Sequence, residues 1–207
     1  SKSSDSASGL VHFSEFVPGV FEEHLDIVDP LPSIPTAAIR DAQPRLTDEP
    51  VPVLLFSHGF GGMRVQSFGL TSHLASRGFV VVAPDHPGRM LSDVLPCLIS
   101  PPLEGCDLSG FGTDPAIDDL ATALEWVDSA ADQPLWRALI DPSRVGLLGH
   151  SAGAGSTTTL GDEDERYAAL APMAGGGSVS RDVPVLRIDA SCDGFVPSAD
   201  ETVLDDL

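Results

Sequence analysis

Short, wholly apolar runs alternate with amphipathic stretches through the middle of this chain. Val51-Pro52-Val53-Leu54-Leu55-Phe56, Phe79-Val80-Val81-Val82-Ala83 and Val145-Gly146-Leu147-Leu148 lack the polar alternation of a half-exposed strand. Such runs, bounded by Gly or Pro, predict strands buried on both faces. Residues 167–171 and 183–188 extend the series. Between the strands the period changes. Phe68, Leu70 and Leu74 lie within 65–77, with Gly78 as a helix stop. Asp114-Pro115 supplies an N-cap and a first-turn proline, and Ile117, Leu120, Leu124 and Val127 recur at helical steps to about Ala131. Another helix is expected from Ser151. Strand and helix alternating in this way predict an α/β fold, a mostly parallel sheet with helices on both faces.

The flanks read differently. Residues 1–10 form a polar, small-residue tail, and 11–207 read as one domain. Val11 to Val28 has short alternating stretches broken by Pro18-Gly19, as in leading antiparallel strands. Asp141-Pro142 predicts a turn, and the Pro- and Gly-rich 88–113 a long loop that builds part of a cleft.

Charge narrows the partners. Thirty-one acidic against 11 basic residues give a formal net charge of −20, and Lys2 is the one lysine. Such a surface repels phosphate backbones and anionic lipid, which excludes nucleic acid and favours a neutral or cationic substrate. No apolar run approaches the roughly 18 residues of a membrane span. Cys97 and Cys106 flank a short loop and could close a disulfide, which would suit a secreted or periplasmic protein. Two reduced core thiols and one loop thiol fit the spacing equally well. Cys192 is left over.

The chemistry gathers where the strands end, as it does in open parallel sheets. Gly149-His150-Ser151-Ala152-Gly153 lies between the strand 145–148 and a helix. Gly-x-Ser-x-Gly places a serine on a strained turn, with small residues two positions away so that strand and helix can close around it. Ser151 is therefore the candidate nucleophile. Ser57-His58-Gly59-Phe60-Gly61-Gly62 follows the first buried strand, where a glycine-rich loop should supply one oxyanion donor. Phe60 N–H and Ala152 N–H are the expected pair, and Gly59, Gly61, Met63 and His150 are expected to bound the substrate. Past the strand 183–188, Asp193 is the expected acid and Asp189 the alternative.

A serine hydroxyl needs a base, and a histidine should follow the acid. None does: the six are His12, His24, His58, His73, His86 and His150. Three explanations stand. The base lies on a C-terminal piece or a second chain, or it comes from another segment, of which His86 is the nearest candidate, or the scaffold is inactive. The first is the expectation, with the sheet's last strand and helix missing from this chain as well. On this view Cys192 would pair with a cysteine of that piece. Asp162-Glu163-Asp164-Glu165 matches no calcium loop, and no zinc spacing, phosphate loop or dinucleotide fingerprint occurs. No metal and no cofactor is implied.

The runs 56–64, 74–83 and 141–153 resemble bacterial relatives of platelet-activating factor acetylhydrolase, the dienelactone-hydrolase-like proteins and the cutinase-like polyester hydrolases. The resemblance covers about residues 50–200. It implies the α/β-hydrolase fold and a serine carboxylesterase acting on a small or polymeric ester, with Ser151, Asp193, Phe60 and Ala152 in the roles given above. Dienelactone hydrolases proper use a cysteine nucleophile, so Ser151 argues against that activity. A peptidase or amidase on the same scaffold, or a non-catalytic binding protein, are the rival readings.

Overall fold

The computed structural model describes residues 10–12, 35–98 and 115–194. The expected tail lies outside these residues except for Leu10, which opens the first strand. That strand, β1 (Leu10–His12), pairs antiparallel with β2 (Pro35–Ile39), and residues 13–34 lie outside the described set.

The main sheet holds β3 (Val51–Ser57), β4 (Val80–Val82), β5 (Ile140–His150) and β6 (Tyr167–Met173), all parallel, in the order β4-β3-β5-β6. Residues 184–188 run along the free edge of β6. Leu186 N–H and Ile188 N–H donate to the carbonyls of Leu170 and Pro172, and Leu170 N–H and Ala174 N–H donate to those of Pro184 and Ile188. The expected strand over 183–188 thus forms as a parallel edge segment. The Asp141-Pro142 turn becomes an irregularity inside β5: Pro52 pairs with Asp141, but Val53 already pairs with Val145. Asp141 Oδ1 accepts from Ser143 N–H and holds that kink.

Among the described residues there are five helices: α1 (Phe68–Ser76), α2 (Leu91–Leu98), α3 (Pro115–Ala130), α4 (Pro134–Leu139) and α5 (Ala152–Glu163). Leu120, Leu124 and Val127 of α3 and Leu160 of α5 are buried with Val53, Leu55, Val145, Leu147 and Leu170, and Val80 and Val82 pack against them. Side chains alternate across a strand, so Val81 faces the other way. There it lines a shallow cleft with Phe68, Thr71 and Ala75 of α1. Helices therefore stand on both faces.

The sequence reading missed two helices. The first turn of α2 lies within the expected loop 88–113, where Asp93 Oδ2 accepts from the backbone N–H groups of Gly88 and Met90. Those donors would otherwise go unpaired at a helix start. Its apolar residues Leu91, Val94, Leu95 and Leu98 have helical spacing, but Pro96 and the surrounding prolines and glycines mask it. The rest of that loop, 99–113, and the expected N-cap Asp114 lie outside the described residues. Helix α4 has only six residues, too few for a period to show, and the Trp126–Trp136 edge contact at 5.3 Å fixes it to α3.

Tyr167 is fully buried in this core, and among the described residues its hydroxyl has no hydrogen-bond partner. Burial pushes its phenol well above the usual range. Removing an unsatisfied buried hydroxyl relieves a desolvation penalty on the order of 1 kcal/mol. Urea unfolding of Tyr167→Phe should therefore give a stability equal to the parent's or up to about 1 kcal/mol higher. A comparable loss would show that the hydroxyl has a partner.

Candidate active site at the carboxyl edge of the sheet

Ser151 sits between the end of β5 and the start of α5 with φ 55° and ψ −118°. A non-glycine residue in this region is strained and is held there by its neighbours. Its N–H donates to the Met173 carbonyl at 2.9 Å, which ties the turn to the end of β6. The flanking glycines are a steric requirement. A Cβ on Gly149 would lie 2.1 Å from the Gly153 carbonyl oxygen, and one on Gly153 would lie 2.2 Å from the Ser57 carbonyl oxygen. Beyond the turn, Gly175 and Gly176 press against the Ser151 and Ala154 carbonyls, and the Arg187 guanidinium holds the Gly175 and Gly177 carbonyls at 3.0 and 2.6 Å.

The loop after β3 lies against this turn. A Cβ on Gly59 would be 3.2 Å from Ser151 Cβ and from His150 Nδ1. The Gly59 carbonyl accepts from Gly62 N–H at 3.0 Å and from His58 Nδ1 at 2.8 Å. A trans peptide directs its N–H opposite to its carbonyl, so this pair of bonds also sets the direction of Phe60 N–H. Ala152 is the first residue of α5, and its N–H belongs to the turn with no intrahelical acceptor. The two expected oxyanion donors thus sit on separate elements packed edge to edge. Gly61, at φ 66°, donates to the Arg89 carbonyl, and Met63, half-buried, accepts from Gln66 N–H.

A model of the alpha/beta hydrolase fold family matches residues 52–182. The chain belongs to the α/β-hydrolase family. The solved structure of a ferulic acid esterase from Streptomyces cinnamoneus aligns over 69% of this chain at 26% identity and a TM-score of 0.47. The alignment takes in 43% of that esterase's length.

Beside the turn, this α/β-hydrolase holds a Ser-His-Asp chain of contacts. Ser57 Oγ lies 3.0 Å from His86 Nε2, and His86 Nδ1 lies 3.0 Å from Asp119 Oδ2. Ser57 and His86 are fully buried, and Arg89 Nη2 donates to Ser57 Oγ at 3.0 Å and to the His58 carbonyl at 2.9 Å. His86 is therefore sealed inside the protein. Both its ring nitrogens are engaged inside the protein, so it is not presented as a base to Ser151. His58 is engaged too, accepting from His86 N–H at Nε2. His150 meets Gln66 Nε2 at Nδ1, 3.0 Å away. Among the described residues, none of the three histidines around the site is poised as a base for Ser151.

Asp193 lies in a turn after the edge segment, its N–H donating to the Ala190 carbonyl, and Asp189 precedes it; both are half-buried. Cys97 is disulfide-bonded, which removes the reading of two reduced core thiols; Cys106, its expected partner, lies outside the described residues. Cys192 is a free, exposed thiol. Among the described residues no group of three or more His, Cys, Asp or Glu side chains is placed to hold a metal, and no helix is long and apolar enough to cross a membrane. Asp162 accepts from Ser180 and Arg181, and Asp164 pairs with Arg166, so two members of the acidic run have protein partners. Sequence reasoning missed Gln66, Arg89 and Asp119, since nothing in a linear motif marks a glutamine or a buried cation as a partner of the loop.

Burial, chiefly, and the nearby Arg89 charge hold His58 below its ordinary value of 6.5. The unfolded chain then takes up a proton that the folded site refuses. Stability is complete above pH 6.5 and falls as the pH drops through that value toward the depressed folded value. Urea midpoints at about pH 5.5 and about pH 7.5 should show this loss in the parent and a smaller one in His58→Gln, one proton accounting for at most about 1.4 kcal/mol per pH unit. Equal losses in both proteins would place the acid sensitivity elsewhere.

Proposed function

We propose that this α/β-hydrolase carries the site of a serine ester hydrolase working through an acyl-enzyme. The observation that carries this reading is the positive-φ Ser151 at a strand–helix turn, with the Gly59–Phe60 peptide packed against it. Ser151 Oγ adds to the ester carbonyl as its proton passes to a histidine base, and negative charge moves onto the carbonyl oxygen. The N–H groups of Phe60 and Ala152 receive that charge, aided by the positive end of α5. The C–O bond of the ester breaks, the alcohol leaves with the proton, and water repeats the sequence to free the acid and Ser151. Asp193 orients the base. The base itself comes from outside the described residues, on a C-terminal piece or a second chain, because His58, His86 and His150 are committed elsewhere.

Neutral short-acyl or polyester substrates suit a chain of net charge −20, and Gly59, Gly61, Met63 and His150 border the place they would occupy. The bonded state of Cys97 supports a secreted or periplasmic setting.

Assays of the full-length protein on p-nitrophenyl esters and the matching anilides test the reading. Ester turnover should dominate and vanish in Ser151→Ala. Asp193→Asn should lower kcat by roughly 10⁴, with Asp189→Asn within a few-fold of the parent. Anilide preference would make the protein an amidase; ester turnover surviving in Ser151→Ala would overturn the nucleophile.

A further inference from the structure

Phe60 N–H and Ala152 N–H, the two donors invoked above, belong to different elements, and a single exposed side chain bridges them. Gln66 Oε1 accepts from Gly59 N–H at 2.7 Å, and Gln66 Nε2 lies 3.0 Å from Nδ1 of His150, the residue before Ser151. The side chain is closely seated: a Cβ on Gly62 would lie 2.6 Å from Gln66 Oε1. Its backbone is anchored as well, Gln66 N–H donating to the Met63 carbonyl at 2.8 Å.

The polarity of this bridge is fixed from one end. A backbone N–H only donates, so the Gln66 atom facing Gly59 is the carbonyl oxygen. The atom facing His150 is then the NH2 group, which also only donates. His150 Nδ1 must supply the lone pair of this bond, which puts the ring proton on Nε2.

We propose that Gln66 is a positioning residue. It sets the spacing between the oxyanion loop and the nucleophile turn, and it holds His150 in the Nε2–H tautomer. With Gln66 on its N–H and with Gly62 and His58 on its carbonyl, Gly59 is pinned at both of its peptide groups. The next N–H, that of Phe60, inherits this orientation. Donors that act on charge formed only in the transition state affect kcat more than KM. This inference rests on the ester-hydrolase reading for its kinetic arm alone; the tautomer is a property of the resting protein.

The test uses the full-length protein, Gln66→Ala and Gln66→Glu. Long-range ¹H–¹⁵N correlation spectra of His150 should show the proton on Nε2 in the parent. In Gln66→Glu a carboxylate oxygen can still accept from Gly59 N–H, but the other can only accept, so His150 should present its proton at Nδ1. On p-nitrophenyl butyrate, Gln66→Ala should lose roughly tenfold in kcat with KM nearly unchanged, less than the 10²–10³ of losing a donor outright. Gln66→Glu, which keeps the loop bond, should recover part of that loss. An Nδ1–H tautomer in the parent, or kcat unchanged in Gln66→Ala, overturns the inference. A parent with the Nε2–H tautomer but no ester turnover supports the clamp and instead counts against the proposed reaction.

Discussion

The approach of Gly153 to the Ser57 carbonyl is the constraint on which the rest of this molecule's working edge depends. A single methyl group there would sit 2.2 Å from that oxygen. It is the point where helix α5 is let down onto the end of β3. With Gly149 clearing the Gly153 carbonyl in the same way, the chain can reverse from strand to helix within one residue. That residue is Ser151, and its positive φ follows from the reversal. The loop after Ser57 is thereby brought against the turn, which gives the site two adjacent backbone walls before any side chain contributes.

Close approach leaves buried polar groups that must be satisfied, since an unpaired one costs about 1–3 kcal/mol. Arg89 and the Ser57–His86–Asp119 chain meet much of this demand. Arg89, nearly fully buried, donates to the His58 carbonyl and Ser57 Oγ and reaches Ser156 Oγ on α5 at 3.4 Å. Its own carbonyl takes Gly61 N–H. One residue thus touches the strand end, the loop and helix α5. The hydrogen-bond chain runs on through Ser57 and His86 to Asp119 on α3, so a buried cation is linked to a carboxylate. Networks of this kind rigidify what they connect. A Ser-His-Asp sequence of contacts is in this case structural, because its serine is sealed from solvent and already bonded to a cation.

How far the sequence could be read follows from the range of the interactions. Strands β3 and β4 were legible as short, wholly apolar runs, and helix α3 because its apolar residues recur at helical steps. The serine turn was legible because its steric demands act within five residues. Helix α2 was hidden by Pro96, although Leu91, Val94, Leu95 and Leu98 keep helical spacing. His86 could not be placed from the sequence because its partners, Ser57 and Asp119, lie 29 and 33 positions away. Gln66 meets His150 across 84 positions, beyond any local pattern.

The central claim is that Ser151 is an activated nucleophile, and covalent labelling tests it most directly. The full-length protein treated with a fluorophosphonate should gain one phosphonyl group, mapped by tandem mass spectrometry to Ser151, and the gain should disappear in Ser151→Ala. A folded full-length protein that gains no adduct, or one that is labelled at another serine, would contradict the account.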